Sequence, residues 1–186
     1  MSESYKIVIC GEGGQGALSA AEIIARAAFA QGKKATAMPF FSTEKRGGVS
    51  MAFTQISDEP IAYPKFEKAD LWVVLSQRSV ERIKPWLKDG TKCIVNSFLV
   101  KDLSELKGHQ VFEVDAETIA REQLKNPRTF NMVVMGAMVG LIPGLDDQAF
   151  EQAMEEHFAS KYARKPELKE ANHRAFRIGY EITNGK

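Results

Sequence analysis

Apolar residues along the chain fall into short β-branched runs, and between the runs they recur at helical spacing. Tyr5 to Cys10 is one such run, ending at Gly11, and it predicts a buried strand. Gly11 to Gly16 forms a tight glycine loop. A helix is expected from about Gln15 to Gln31, with Ala21, Ile24, Ala25, Ala28 and Phe29 on its apolar face and Gly32 as its stop. Lys34 to Met38 predicts a second strand, Pro39 to Gly48 a loop, and Val49 to Ile56 a third strand closed by the turn Asp58-Glu59-Pro60. Leu71 to Leu75 predicts a buried strand. Arg78 to Leu87 predicts a helix interrupted at Pro85, and Lys92 to Val95 a strand ending at Asn96-Ser97. Val111 to Val114 continues the strand pattern, followed by a helix over about Ala116 to Leu124. Asn131 is placed to cap an apolar helix from Met132 to Leu141, which Pro143-Gly144 ends. Asp146 or Asp147 is placed to cap the next helix, with Phe150, Ala153, Met154 and Phe158 on one side. Pro166 starts the last, with Leu168, Ala171, Ala175 and Phe176 on its face.

Strands alternating with helices predict an α/β fold whose mostly parallel sheet is flanked by helices. One domain is expected over residues 1–186, with an α/β core to residue 130 and a mainly helical cap over 131–186. Hydrophobic residues make up 44% of the chain and charged residues 26%, a balance that can bury a core without staples. Lys plus Arg number 25 against 24 Asp plus Glu, a net charge of +1, so no global field favours nucleic acid or an anionic membrane. The longest apolar run, Met132 to Pro143, is about 12 residues where a bilayer span needs roughly 20. The N-terminus lacks the basic and apolar regions of a signal peptide. Two cysteines, Cys10 and Cys93, are too few for a disulfide scaffold or an all-cysteine metal site, and a reducing cytoplasm is the expected location.

Gly11, Gly13 and Gly16 fit G-x-G-x-x-G between a strand and a helix, with Gly14 and Gln15 inside the loop. Such glycines let a phosphate approach a helix N-terminus, where free N–H groups favour anions. They would equally serve a turn that only packs helix on strand. An NAD site also needs an acid at the end of the second strand. That strand ends Ala37-Met38-Pro39-Phe40, with no acid before Glu44, which argues against NAD. Ala17-Leu18 replaces the Lys and Ser/Thr of a P-loop. The second motif is Ser42-Thr43-Glu44-Lys45-Arg46-Gly47-Gly48, beyond the second strand and beside the first loop. There Arg46 can grip a phosphate or carboxylate, or simply pair with Glu44 at the surface. Ser76-Gln77 and Asn96-Ser97 end later strands at the same edge and can line a crevice or cap turns. The histidines show no metal-ligand spacing, no nucleophile elbow occurs, and neither cysteine is placed as a nucleophile, so no catalytic or metal residue is assigned.

Taken in order, these motifs carry a resemblance. Gly11-x-Gly13-Gly14-Gln15-Gly16 with Ala20-Ala21, Glu44-x-Arg46-Gly47-Gly48-x-Ser50, Lys68-Ala69-Asp70, Val95-Asn96-Ser97, Asn131 with Met135-Gly136-Ala137, and Asn172 with Ala175-Phe176 resemble the gamma subunits of 2-oxoacid:ferredoxin oxidoreductases. The resemblance spans nearly the whole chain. It implies a Rossmann-like, non-catalytic component of a complex that converts a 2-oxoacid and CoA to acyl-CoA and CO2, passing electrons to ferredoxin. It also implies that thiamine diphosphate with Mg and the 4Fe-4S clusters sit on partner alpha and beta chains, with a delta chain as a further partner, and that this chain binds no cofactor by itself. The residues it assigns to CoA or partner contact are Gly11, Gly13, Gly14, Gln15, Gly16, Ser42, Glu44, Arg46, Gly47, Gly48, Asn96 and Asn131. Glu12 departs from the pattern, since a carboxylate there would repel a phosphate, and this favours subunit contact. The alternatives are a stand-alone CoA- or nucleotide-binding module and an NAD-binding enzyme.

Overall fold

The structure is a computed structural model that describes residues 4–40 and 48–185. Its strands are β1 (Tyr5–Glu12), β2 (Lys34–Phe40), β3 (Val49–Ser57), β4 (Leu71–Val74), β5 (Lys92–Asn96) and β6 (Gln110–Val114). Its helices are α1 (Ala17–Ala30), α2 (Gln77–Ile83), α3 (Ala116–Thr118), α4 (Phe130–Val139), α5 (Asp147–Arg164) and α6 (Glu167–Thr183). The six strands form one sheet in the order β2-β3-β1-β4-β5-β6. β1, β4, β5 and β6 pair in parallel, while β3 runs antiparallel to both its neighbours. β2 therefore points the same way as β1, and β3 is the single reversed strand. Two ladder spacings, about 9.5 Å, separate the end of β2 from the end of β1.

Alternate residues of the strands build two cores. Ile7, Ile9, Leu71, Val73 and Ile94 face α1 and the three C-terminal helices. Val8, Cys10, Trp72, Val74, Cys93 and Val95 face Val80, Val100 and Leu106 on the other side. α4 lies innermost among the C-terminal helices, buried from Met132 to Val139. α6 packs across it at backbone distance: a Cβ on Gly136 would lie 2.0 Å from the Phe176 carbonyl oxygen, and one on Gly179 1.9 Å from that of Val133. Only glycine permits that approach.

Several boundaries differ from the sequence expectation for identifiable reasons. α1 starts at Ala17 rather than Gln15, because Gly14 (φ 91°) and Gly16 (φ 89°) are left-handed. β2 continues through Pro39 to Phe40, as an edge strand allows. The helix expected over Arg78–Leu87 ends at Ile83 and passes into a 3-10 turn, Lys84–Trp86, around Pro85. The Ala116–Leu124 segment is α-helical for three residues and then widens to a π-turn over Ile119–Gln123. Asn131 is not a cap. A 3-10 turn at Pro127–Thr129, capped by the Asn126 side chain, leads straight into α4, so Asn131 falls inside its first turn. Asp146 does cap α5, accepting from the N–H groups of Gln148 (2.6 Å) and Ala149 (3.2 Å). No helix among the described residues is long and apolar enough to cross a membrane.

Candidate functional site

The glycine loop divides into a buried half and an open half. Gly11 belongs to the buried half: a Cβ there would lie 2.8 Å from Gln15 Oε1 and 2.9 Å from Leu75 Cδ1. Gln15 locks the loop shut from below. Its Oε1 accepts from the Glu12 N–H at 2.6 Å, and its Nε2 donates to the Leu75 carbonyl at 3.3 Å. Asn96, fully buried, donates to the same carbonyl at 3.3 Å and to Glu117 Oε1 at 3.0 Å. Gln15, Leu75, Asn96 and Glu117 thus tie the ends of β1, β4 and β5 together beneath the loop. Asn96 is held as a brace there. Ser76 is also buried, hydrogen-bonded to Ser79 at 2.9 Å.

The open half faces a cleft of about 480 Å³. Its walls are Gly13, Gly14, Gly16 and the first turn of α1 on one side, Gly48 to Ser50 at the start of β3, and Asn131, Phe158 and Lys161 opposite. Among the described residues, Gly13 and Gly14 have nothing within 4 Å of where a Cβ would be, so their backbone is open to an approaching group. Gly16 is crowded by Asn131, whose Nδ2 lies 3.1 Å from its would-be Cβ. The Ser50 hydroxyl donates to the Gly11 carbonyl at 3.3 Å, which seats β3 against the loop. Among the described residues no side chain caps α1, so the N–H groups of Ala17, Leu18 and Ser19, which line the cleft, have no intrahelical partner.

Electrostatically the cleft suits an anion. Lys161 is the one charged side chain on its described walls, and Glu12 is not among them. Lys161 Nζ lies 5.0 Å from the centre of the Phe158 ring, so the ammonium is held at the wall. A second hollow of about 250 Å³ adjoins the first through Asn131, Phe158 and Lys161. It adds Arg128, Tyr162 and Asn172 and again has no acid among its described residues. Asn172 Nδ2 donates to the Tyr162 hydroxyl at 2.8 Å, and burial pushes that phenol's pKa up. The larger open groove of the molecule, about 1010 Å³, lies at the opposite end of the strands and shares no residue with this site.

Of the residues singled out in the sequence, the cleft brings together Gly13, Gly14, Gly16, Gly48 and Asn131, while Gly11, Gln15 and Asn96 sit beneath it. Ser42, Glu44, Arg46 and Gly47 lie outside the described residues. Lys161, Phe158 and Arg128 were not foreseen. The i, i+3 spacing of Phe158 and Lys161 hinted at a shared helix face, but only the packing of α5 on α1 aims that face at the loop. The insertion of β3 also bears on NAD: the strand end that carries the ribose-binding acid in a dinucleotide fold is not adjacent to β1 here. Neither cysteine is a usable ligand or nucleophile. Burial pushes the thiols of Cys10 and Cys93 up to about 12.

Comparison with known proteins points one way. The family model for pyruvate ferredoxin/flavodoxin oxidoreductase matches residues 6–182. The pyruvate synthase subunit PorC of Methanothermobacter marburgensis is 37% identical over 175 residues, covering 92% of this chain and 93% of that protein. The 2-oxoglutarate synthase subunit KorC of Methanocaldococcus jannaschii is 32% identical over 179 residues, covering 95% and 92%. The crystal structure of the keto/oxoacid ferredoxin oxidoreductase gamma subunit from Geobacter sulfurreducens superposes with a TM-score of 0.79 at 30% identity, covering 96% of this chain and 98% of that one.

Proposed function

Since the chain belongs to the pyruvate ferredoxin/flavodoxin oxidoreductase family, we propose that it is the gamma subunit of a 2-oxoacid:ferredoxin oxidoreductase complex, and that its glycine-loop cleft holds an anionic part of CoA. The complex would convert a 2-oxoacid and CoA to acyl-CoA and CO2, releasing two electrons to ferredoxin. Thiamine diphosphate with Mg and the iron–sulfur clusters would reside on the alpha, beta and delta partners. An iron–sulfur cluster does not fit this chain: burial pushes the thiols of its two strand cysteines up to about 12, and no cluster of metal-ligating side chains occurs among the described residues. A reducing cytoplasm suits such a complex.

The observation that carries the CoA reading is that the cleft wall holds no acid among the described residues. Open glycines, an uncapped helix N-terminus and Lys161 all favour negative charge at one place. Glu12, whose carboxylate would have opposed a phosphate, is not on that wall. Arg128 and Asn172 extend the same chemistry into the neighbouring hollow. In this role the chain does no bond-making. It lowers the cost of bringing a polyanion to an active site on its partners, and it orients that polyanion.

The test is the Lys161→Ala variant in the complex reconstituted with its partner subunits. A charge-assisted contact contributes about 1.5–3 kcal/mol, so the KM for CoA should rise about 10- to 150-fold while kcat at saturating CoA is kept. Lys161→Arg should recover part of the loss. An unchanged CoA dependence in Lys161→Ala would remove CoA from this cleft and leave the loop to a subunit contact.

A further inference from the structure

α1 packs on one face of β2 and β3. The opposite face has a graded composition, set by the register of the two strands. Phe40 pairs with Met51 and Met38 with Phe53 at one end; Thr36 pairs with Gln55 and Lys34 with Ser57 at the other. At the apolar end, Phe66 and Trp86 close a slot of about 170 Å³ over Phe53. The slot is pre-formed. The ring centres of Phe66 and Trp86 lie 5.5 Å and 5.2 Å from that of Phe53, and the Trp86 indole N–H donates to the Phe66 carbonyl at 3.0 Å. Its rim is exposed: Phe40 is 47% accessible and Tyr63, in the groove beyond, 63%. A cavity of about 150 Å³ is large enough for benzene, so the slot has room for one aromatic or branched aliphatic side chain.

The slot opens into the groove of about 1010 Å³ at the amino end of the parallel strands, and Lys65 and Phe66 line both. Four lysines, Lys6, Lys65, Lys68 and Lys88, line that groove against Glu59 and Glu67. Lys88 is held by Asp70 and Lys68 by the Pro85 carbonyl. Lys6 and Lys65 have no carboxylate partner among the described residues. Overall the chain carries a net charge of only +1, so this concentration of cations is local.

We propose that this face docks a carboxylate-bearing segment of another subunit of the complex, with one aromatic or aliphatic side chain in the Phe53–Phe66–Trp86 slot and its acids against Lys65 and Lys6. The proposal rests on the gamma-subunit reading. The occupant follows from charge and shape together: the slot sets an apolar anchor, and the unpaired lysines set acids beside it. A second copy of this chain docking by the same face would bring lysines against lysines, which opposes that arrangement. The lysine groove lies at the other end of the strands from the glycine-loop cleft, and the slot lies on the sheet face away from α1 and shares no residue with the cleft, so a subunit held here leaves the cleft open to a ligand.

The experiment measures the affinity of the full chain for its own partner subunits at low and high ionic strength, with Phe40→Asp, Lys65→Glu and Tyr63→Ala. All three side chains are exposed, and unchanged thermal melting confirms that the variants fold. Losing the half-exposed Phe40 contact should weaken assembly about 10-fold at any salt. Lys65→Glu should weaken it at low salt only, the effect fading as salt screens the pair. A zero-length carbodiimide cross-link should join Lys65 to an Asp or Glu of a partner subunit. Wild-type assembly by all three variants, with cross-links elsewhere, overturns the docking proposal and leaves the gamma-subunit reading standing. A chain that binds no partner subunit at all overturns both. A dimer of this chain alone that Phe40→Asp dissolves overturns the proposal in favour of a second copy.

Discussion

Replacing Gly13 by leucine separates the folding role of the glycine loop from its binding role. Gly13 has no left-handed φ, and nothing among the described residues lies within 4 Å of an added Cβ. The variant should therefore keep its stability to within about 0.5 kcal/mol, as surface substitutions do. Its side chain must then occupy the cleft of about 480 Å³ directly over the start of α1. A ligand excluded from the free N–H groups and Lys161 loses at least one charge-assisted contact, about 1.5–3 kcal/mol, or roughly 10- to 150-fold in affinity. Gly16 is the control with the opposite sign. At φ 89° any side chain is strained by about 1–2 kcal/mol, and Asn131 Nδ2 at 3.1 Å must give way as well. Gly16→Ala should lower Tm by about 2–8 °C, at 2–4 °C per kcal/mol for a chain of this size. The assays are thermal melting of the purified chain, sedimentation of the reconstituted complex, and CoA dependence at saturating 2-oxoacid. If Gly13→Leu melts like wild type yet changes neither assembly nor CoA dependence, the open half of the loop faces solvent and the binding argument is refuted.

Three further outcomes follow from other parts of the chain. Arg46→Ala should weaken assembly or raise the CoA requirement by about 10- to 150-fold, with Arg46→Lys recovering only part because a point charge cannot replace the bidentate fork; normal assembly and an unchanged CoA requirement would make Arg46 a plain surface residue. Gly179→Ala places a Cβ 1.9 Å from the Val133 carbonyl, where the neighbour is backbone and cannot swing away; α4 and α6 must separate, at about 3 kcal/mol and about 6–12 °C in Tm, and a melt within about 2 °C of wild type would contradict the packing. Burial holds the His157 pKa below its ordinary 6.5, with Glu22 opposing and Arg26 and Lys161 adding to the shift. Between the lowered and the ordinary value the unfolded chain binds more protons, so this contribution is complete above about pH 6.5 and is lost as pH falls through that window. In His157→Gln the stability–pH slope there should flatten, as read by chemical denaturation across that range.

Local structure was the legible part of the sequence. Short apolar runs announced the central strands β1, β4 and β5, because burial on both faces demands continuous apolar stretches, and β3 was legible from its alternation. Asp146 was legible as a cap for the same local reason. Pairing was not: β3 inserts antiparallel between β1 and β2, a long-range choice that leaves no mark in the periodicity of either strand. Asn131 looked like a cap because polarity changes there, yet the Asn126 turn had already begun the helical path. The glycines of the cleft were legible from spacing, whereas Lys161 and Arg128 reach it only through the packing of helices distant in sequence. Glu12 was read as an obstacle to phosphate, yet it is not among the described residues that line the cleft, and spacing along a loop does not tell which way a side chain faces.

The most direct test of the central claim is reconstitution. The purified chain, its partner subunits without it, and the recombined complex are each assayed for 2-oxoacid- and CoA-dependent reduction of a viologen dye. The account predicts no turnover by the chain alone, no iron–sulfur absorption in it, and full CoA-dependent activity only when it is recombined with its partners. Turnover by the chain alone, or partners fully active without it, would contradict the account.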